Sequence, residues 1–504
     1  MGKSFSGLVM VLLFITATAG VAQETAEEAG VSTIHYRPAT GNQGDVQPFF
    51  WDGQYHVFYI HGAIWDHVVS DNLVHWKELP TAIPGPPTIW SGSIVEDNGS
   101  FHAFYTDAGP VDRPEGSQLI AHAVSKDLIS WTKLPEYTFA GDGIHYWNKA
   151  INGALKRMDD DQSFRDPSVF WNEEEKVWMM IFVARDAETH YHVHGLATSK
   201  DLYHWEQQDY INKYPYRHVD CPDLFKMGNK WYLLFDHCMY QFADNVRGPY
   251  EPAEPLRFET SWMCVPRRMF DGKRQVLAAG SILDMPGNTD NAGTQWGGTL
   301  GISRELYAAP DGMLLQKPVP EIVAAYSKTV LDRKGKPAIV VGTNENPFYE
   351  SDKACVYHYA QQRIVLEDTV PSDYMLTCNF NLHPGPWQSA PNGRSCFSIG
   401  VRQQKDAPGL GYELVYYPST NEIEVKSQYI THLRKCDIDP TKPVKVQAFV
   451  TGSIIEWFVN DAYAFTMRAY DYKEGQLSFT AARCAVDITD LSVRVTGNDE
   501  SENN

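Results

Sequence analysis

Short runs of β-favouring residues, broken by turn residues, set the pattern of the chain. Pro48-Phe49-Phe50-Trp51 turns at Asp52-Gly53 into Tyr55-His56-Val57-Phe58-Tyr59, and Ser93-Ile94-Val95 turns at Asn98-Gly99 into Phe101-His102-Ala103-Phe104-Tyr105. Ser168-Val169-Phe170-Trp171 leads to Val177-Trp178-Met179-Met180, and Asp223-Leu224-Phe225-Lys226 passes Gly228-Asn229 into Trp231-Tyr232-Leu233-Leu234-Phe235. A weaker pair, Arg268-Met269-Phe270 and Gln275-Val276-Leu277, flanks Asp271-Gly272. Asp-Gly and Asn-Gly take positive φ at little cost, so these pairs predict hairpins. The segment Ser70-Asp71-Asn72-Leu73-Val74-His75-Trp76 recurs as Ser125-Lys126-Asp127-Leu128-Ile129-Ser130-Trp131 and as Ser199-Lys200-Asp201-Leu202-Tyr203-His204-Trp205. Five hairpins punctuated by a recurring turn predict an all-β fold, a five-bladed β-propeller over 33–323.

From 354 to 495 the runs continue, as in Phe397-Ser398-Ile399-Gly400-Val401 and Val444-Lys445-Val446-Gln447-Ala448-Phe449-Val450, with alternating apolar and polar positions. One dry and one wet face per strand predicts a β-sandwich packed beside the propeller. Residues 324–353 are expected to link the two, with a short helix from Ala324 to Thr329. Aromatic side chains in the sandwich, Tyr416, Tyr417 and Trp457, would stack on sugar if exposed and form core if buried.

The first 22 residues carry Lys3, an apolar run from Leu8 to Ile15 and small residues up to Ala22, the layout of a secretory signal, which implies a secreted or periplasmic protein. An acidic stretch (23–32) follows, and a polar tail (496–504) closes the chain. A formal net charge of −20, with no run of more than two Lys/Arg, disfavours nucleic acid and anionic membranes as partners. Aromatic content of 13% suits a saccharide instead. The cysteines include no C-x-x-C pair, so a zinc ribbon or a thioredoxin-type site is not indicated; their spacing allows a disulfide or two. His190, His192 and His194 alternate as ligands on one strand face would, but run into Gly195-Leu196-Ala197-Thr198 as an ordinary blade strand. Asp159-Asp160-Asp161 lacks the spacing of a calcium loop, and Asn98-Gly99-Ser100 reads as a hairpin turn more than a glycosylation site. No metal or cofactor is expected.

Innermost propeller strands all begin at one rim, so the residues before them converge. These are Gly44-Asp45-Val46-Gln47, Trp90-Ser91-Gly92-Ser93, Phe164-Arg165-Asp166-Pro167 and Asp220-Cys221-Pro222-Asp223. Asp45, Asp166 and Asp220 in one pocket suit glycosidic cleavage, which needs a nucleophile or base, a proton donor and stabilisation of oxocarbenium-like charge. Asp223, three residues beyond Asp220, is expected on the opposite face.

On these residues the chain resembles glycoside hydrolase family 32, the invertase, levanase and inulinase group, through 33–495. Trp65-Asp66-His67 with the Ser70–Trp76 segment resembles its W-G-H … S-x-D-L-x-H-W stretch, and Trp90-Ser91-Gly92-Ser93 its blade-two S-G-S segment. Phe164-Arg165-Asp166-Pro167 is similar to its R-D-P motif and Asp220-Cys221-Pro222-Asp223-Leu224-Phe225 to its E-C-P-D-L-F motif. Ser303-Arg304-Glu305-Leu306 with Leu314–Glu321, and Glu456-Trp457-Phe458-Val459-Asn460, are similar to later motifs. The resemblance implies Asp45 as nucleophile, Asp166 as transition-state stabiliser, Asp220 as general acid/base, and retaining cleavage of β-fructofuranosidic bonds in sucrose, levan or inulin. Gln47, Trp65, Trp90, Ser91 and Arg165 are the expected sugar contacts. Two positions depart from the pattern: Asn42-Gln43-Gly44-Asp45-Val46-Gln47-Pro48 replaces W-M-N-D-P-N-G, and Asp220 stands where the family has Glu. As the acid, Asp220 is expected to be kept protonated by its carboxylate neighbours and by aromatic walls. The alternatives are an arabinose-releasing furanosidase of a related five-bladed family, and a catalytically weak sugar-binding protein on the same fold.

Overall fold

The computed structural model describes residues 32–497 apart from 111–112, 114–116, 149–162, 215–218, 279, 286, 288–289, 291–296, 343–360, 385–394, 408 and 428–430. The expected signal and tails, and Asp159-Asp160-Asp161, lie largely or wholly outside the described residues.

Five antiparallel blades surround a central channel. Their innermost strands are Val46–Trp51, Thr88–Asp97, Arg165–Asn172, Asp223–Met227 and Arg267–Phe270, which we number as blades I to V. The expected turns are formed: Asp52 and Asn98 adopt φ of 47° and 50°, followed by Gly53 and Gly99 at 80° and 73°. The recurring segment is itself a turn device. Ser70, Ser125 and Ser199 each accept two backbone N–H groups with Oγ, and Asn72, Asp127 and Asp201 each accept two more with Oδ1. These bonds compensate the left-handed conformation of Leu73, Leu128 and Leu202 (φ 61°, 63° and 67°), whose buried side chains anchor the outer edges of blades I, II and III.

Beyond the propeller, a seven-stranded and a six-stranded sheet face each other across an apolar core containing Trp457, Tyr416 and Phe479. Trp457 and Tyr416 are thus core residues, and Tyr417 is half-buried with its hydroxyl bonded to Glu424. Two details differ from expectation. The helix is Pro320–Ala325, and within the expected linker the strands Lys328–Asp332 and Ile339–Gly342 both pair with Ala485–Val495 in the larger sheet. The seven cysteines described, Cys221, Cys238, Cys264, Cys378, Cys396, Cys436 and Cys484, are free thiols.

The seam between propeller and sandwich is held by ions. Arg304 of blade V donates to Glu259, to Gln316 (2.9 Å), to Glu456 (2.6 Å) and to Thr466 (2.8 Å), and His35 reaches the other Glu456 oxygen at 2.7 Å. The side chains of Arg304, Glu259 and Glu456 are fully buried, and the arginine and histidine hold the Glu456 carboxyl below its usual range. Removing one member of a buried ionic cluster leaves the others uncompensated. Arg304→Leu is therefore expected to destabilise the protein by about 3–5 kcal/mol, read as a lowered urea midpoint; an unchanged midpoint would show that the seam does not depend on the cluster.

Candidate active site

In blades II, III and IV the rim residues are presented by an irregularity in the backbone. In blade II the pairing with the second strand slips between Ile89 and Gly92, which re-aims Trp90 and Ser91; a Cβ at Gly92 would lie 1.9 Å from the Phe104 carbonyl oxygen, so only glycine fits. In blade III the slip falls between Arg165 and Ser168, and Asp166 sits at φ 59°. In blade IV Cys221 is at φ 53°, just before the first strand. Bulges and left-handed residues at a rim turn side chains toward the axis that a regular strand would send elsewhere.

The result is a closed ring of hydrogen bonds joining four blades. Ser91 donates to Asp45 Oδ2 at 2.5 Å, and Cys221 Sγ lies 3.3 Å from the same oxygen. The Cys221 amide donates to Asp166 Oδ2 at 3.1 Å, the Asp166 amide to Thr106 Oγ1 at 2.8 Å, and the Thr106 hydroxyl to the Ser91 carbonyl at 3.0 Å. Asp45 Oδ1 makes no hydrogen bond, leaving one carboxylate oxygen uncommitted. Asp45 and Asp166 are 4% and 3% exposed. Burial pushes both carboxyls up, Asp45 to about 7, against the opposing pull of Ser91, Cys221 and the Arg267 guanidinium.

Arg165 organises the open side. Its guanidinium donates to Gln118 (3.2 Å), to Ser163 (2.9 Å) and to Asp220 Oδ1, with Nε 3.4 Å from Asp166 Oδ2. The Asp220 side chain is 39% exposed. Its surroundings thus differ from expectation: Trp90 is the one Phe, Tyr or Trp side chain among the described residues that line the pocket, and the Arg165 guanidinium stands against Asp220.

A cavity of about 490 Å³ gathers Asp45, Trp90, Ser91, Arg165, Asp166 and Asp220. Gln47 and Trp65 are not in it. Gln47, on the strand that begins just after Asp45, lines a second cavity lower in the channel with Asp223 and Arg267. Trp65 is fully buried behind the wall, its indole N–H bonded to the Trp90 carbonyl at 3.0 Å, so it supports Trp90 and does not contact the pocket. The cavity also contains Gln118, Ser163, Asp236, His237 and Cys264, which the sequence reading did not select. Asp236 and His237 follow the second strand of blade IV, a position that carries no motif. His194 is buried against Val219 and Tyr214, and burial lowers its pKa to about 4; His190 lies outside the strand, and among the described residues no group of three or more His, Cys, Asp or Glu is arranged to hold a metal ion.

Residues 35–252 match the model of the glycosyl hydrolases family 32 N-terminal domain. Over that stretch the chain is similar to the glycosyl hydrolases of family 32. The chain is 32% identical over 227 residues to a levanase of Bacillus sp. (strain L7), covering 40% of this chain and 23% of that protein. It is 28% identical over 362 residues to a β-fructofuranosidase, insoluble isoenzyme 7, of Oryza sativa subsp. indica, covering 59% of this chain and 57% of the rice protein. The matches thus span less than two thirds of either relative. The fold matches fructan 1-exohydrolase IIa of Cichorium intybus with a TM-score of 0.69 at 19% identity, over 92% of this chain and 97% of the other; the same protein has been solved in complex with 1-kestose.

The raised Asp45 carboxyl has a consequence for stability. Between the ordinary carboxyl value near 4 and about 7, the native state binds the proton that the unfolded chain has lost, so stability falls as pH rises and the full cost is present above 7. Asp45→Asn should therefore be more stable than the native protein by on the order of 4 kcal/mol above pH 7, the gain shrinking toward zero near pH 4. Melting temperatures of the two proteins across that range test this, and a pH-independent offset would sink it.

Proposed function

We propose that this protein is a secreted or periplasmic β-fructofuranosidase that cleaves sucrose-, levan- or inulin-type links by retaining double displacement. The observation that carries the reading is the hydrogen-bonded ring that holds Asp45 and Asp166, from opposite rim segments, in one pocket with Asp220. The levanase and fructofuranosidase relatives, and the chicory enzyme's complex with 1-kestose, support a fructoside as substrate. The N-terminal apolar run supports export.

In this reading the Asp45 carboxylate attacks the anomeric carbon, while Ser91 and Cys221 hold Oδ2 and so fix the plane of the carboxylate. Asp166, locked by the Cys221 amide and Arg165, accepts hydrogen bonds from fructosyl hydroxyls that tighten as positive charge develops on the ring. The departing sugar takes a proton from the blade IV rim, and water then releases the fructosyl group from Asp45 by the reverse sequence. Trp90 supplies an apolar face for the ring.

Incubation with sucrose, levan, inulin and arabinan should release fructose from at least one of the first three. In the presence of methanol the transfer product should be a β-fructoside; an α-product would exclude retention. Because Asp45 must be ionised to attack, kcat/KM is expected to rise with pH up to about 7, a limb governed by that carboxyl. Asp45→Asn should abolish turnover with the fold intact. Release of arabinose alone would move the protein to the related furanosidases, and binding without release would make it a lectin-like member of the fold.

A further inference from the structure

Asp220, in the family's acid/base position, is one methylene shorter than the usual glutamate and is engaged by Arg165. A guanidinium stabilises the ionised form of the carboxyl that it touches, and its own protons are not transferable at working pH. The Arg165–Asp220 contact thus favours a binding role for Asp220.

Beside it stands a pair with a proton to give. The Asp236 amide donates to the Asp220 carbonyl at 2.8 Å, which sets the two aspartates next to each other on the rim of blade IV, and both line the cavity. The Asp236 side chain is 22% exposed and that of Asp220 39%, so Asp236 is the less solvated of the two. Among the described residues, the cationic partner within 4.0 Å of Asp236 is His237, whose Nε2 lies 3.7 Å from Oδ1. The imidazole orientation is fixed. Nδ1 lies 3.2 Å from the Ser261 carbonyl, which can only accept, so Nδ1 is the donor there. Nε2 faces Asp236 Oδ1 and the Cys264 thiol, 3.7 Å away; burial and the neighbouring carboxylates push that thiol up, so it remains protonated. Arg257 donates to the His237 carbonyl and holds the turn in place.

Resting on the fructosidase reading, we propose that Asp236 is the catalytic acid/base, with His237 as its positioning residue, and that Asp220 serves as the counter-ion that fixes Arg165. The pair holds one transferable proton, on the carboxyl beside a neutral imidazole or on the imidazole beside a carboxylate. As the bond between the Asp45 carboxylate and the anomeric carbon forms and the glycosidic C–O bond breaks, this proton passes to the oxygen of the departing sugar. When water attacks the fructosyl-Asp45 ester, one of its protons returns to the pair and the Asp45 carboxylate is regenerated. The 3.7 Å separation is that of an empty site, in which catalytic hydrogen bonds are commonly long.

The test compares Asp236→Asn, Asp220→Asn and His237→Gln on sucrose or inulin and on an activated aryl β-fructofuranoside, whose leaving group needs little protonation. Asp236 adopts φ 52°, a conformation that asparagine tolerates, so the variant keeps the turn. Asp236→Asn should lose about a hundredfold or more in kcat on the natural substrate and less than about tenfold on the aryl glycoside. Added azide should restore turnover by trapping the fructosyl group. His237→Gln should lower kcat on the natural substrate with KM unchanged, and Asp220→Asn should raise KM on both substrates alike. The assignment is overturned if Asp236→Asn stays within twofold of the native enzyme on sucrose or inulin, or if Asp220→Asn shows the leaving-group split and azide rescue instead. Native enzyme that cleaves an arabinofuranoside but no fructoside overturns the fructosidase reading alone, and the same comparison on that substrate then decides for or against Asp236. No turnover on any furanoside overturns both.

Discussion

Buried negative charge at the hub is the constraint to which the rest of the propeller answers. Asp45 and Asp166 are almost completely removed from water, and an isolated carboxylate in such a place is costly unless donors are brought to it. Regular strands cannot bring them, because their own N–H groups are spent on neighbouring strands. The slips at Gly92 and Ser168 and the left-handed residues Asp166 and Cys221 free backbone and side-chain donors at the rim and aim them inward. The strain is therefore located where the charge is. Compensation is incomplete, which is why the Asp45 carboxyl stays high and one of its oxygens stays bare.

The propeller–sandwich seam applies the same logic with a different outcome. There Arg304 faces two glutamates, with His35 against one of them, so Glu456 is held ionised, not pushed toward its neutral form. Two motifs distant in sequence, around Arg304 and around Glu456, become a single object once the domains pack. A fully compensated cluster makes a fixed joint, whereas an under-compensated one makes a reactive group.

Much of this was legible in the chain. The blades were readable because Asp52-Gly53 and Asn98-Gly99 encode hairpin geometry locally, and the rim because Asp45 and Asp220 precede an innermost strand and Asp166 stands at the start of one. Sequence position did not resolve depth. Gln47 follows Asp45 by two residues but descends into the channel, and Trp65, a pocket residue by its motif, braces Trp90 from behind. Asp236 and His237 enter the pocket only because the second strand of blade IV is hydrogen-bonded back to Asp220, a relation between residues far apart in the chain. Lys328–Asp332 looked like linker because its exposed side chains give no alternation; its order comes from pairing with Ala485–Val495. The same limit hid two matching imidazole pairs, His56 with His67 and His102 with His122, each at 2.9 Å and each stacked on a phenylalanine, in equivalent strands of blades I and II.

Each blade is built from its own stretch of chain, and the N-terminal piece Ser32–Thr33 adds to the outer edge of blade I without crossing to blade V. Among the described residues, no strand is shared between the first and last blades of the ring. Closure instead uses the Gln43–Gly298 bridge, the Tyr55–Asp271 contact and an apolar cluster in which Val46 and Tyr59 of blade I and Val276 of blade V pack with Met375, Phe449 and Phe458 of the sandwich. The second domain is thus a clamp across the one gap in a circular wall. Since Asp45 stands on one side of that gap and Arg267 on the other, the spacing of charges at the hub is set partly by a module that contributes no residue to the pocket.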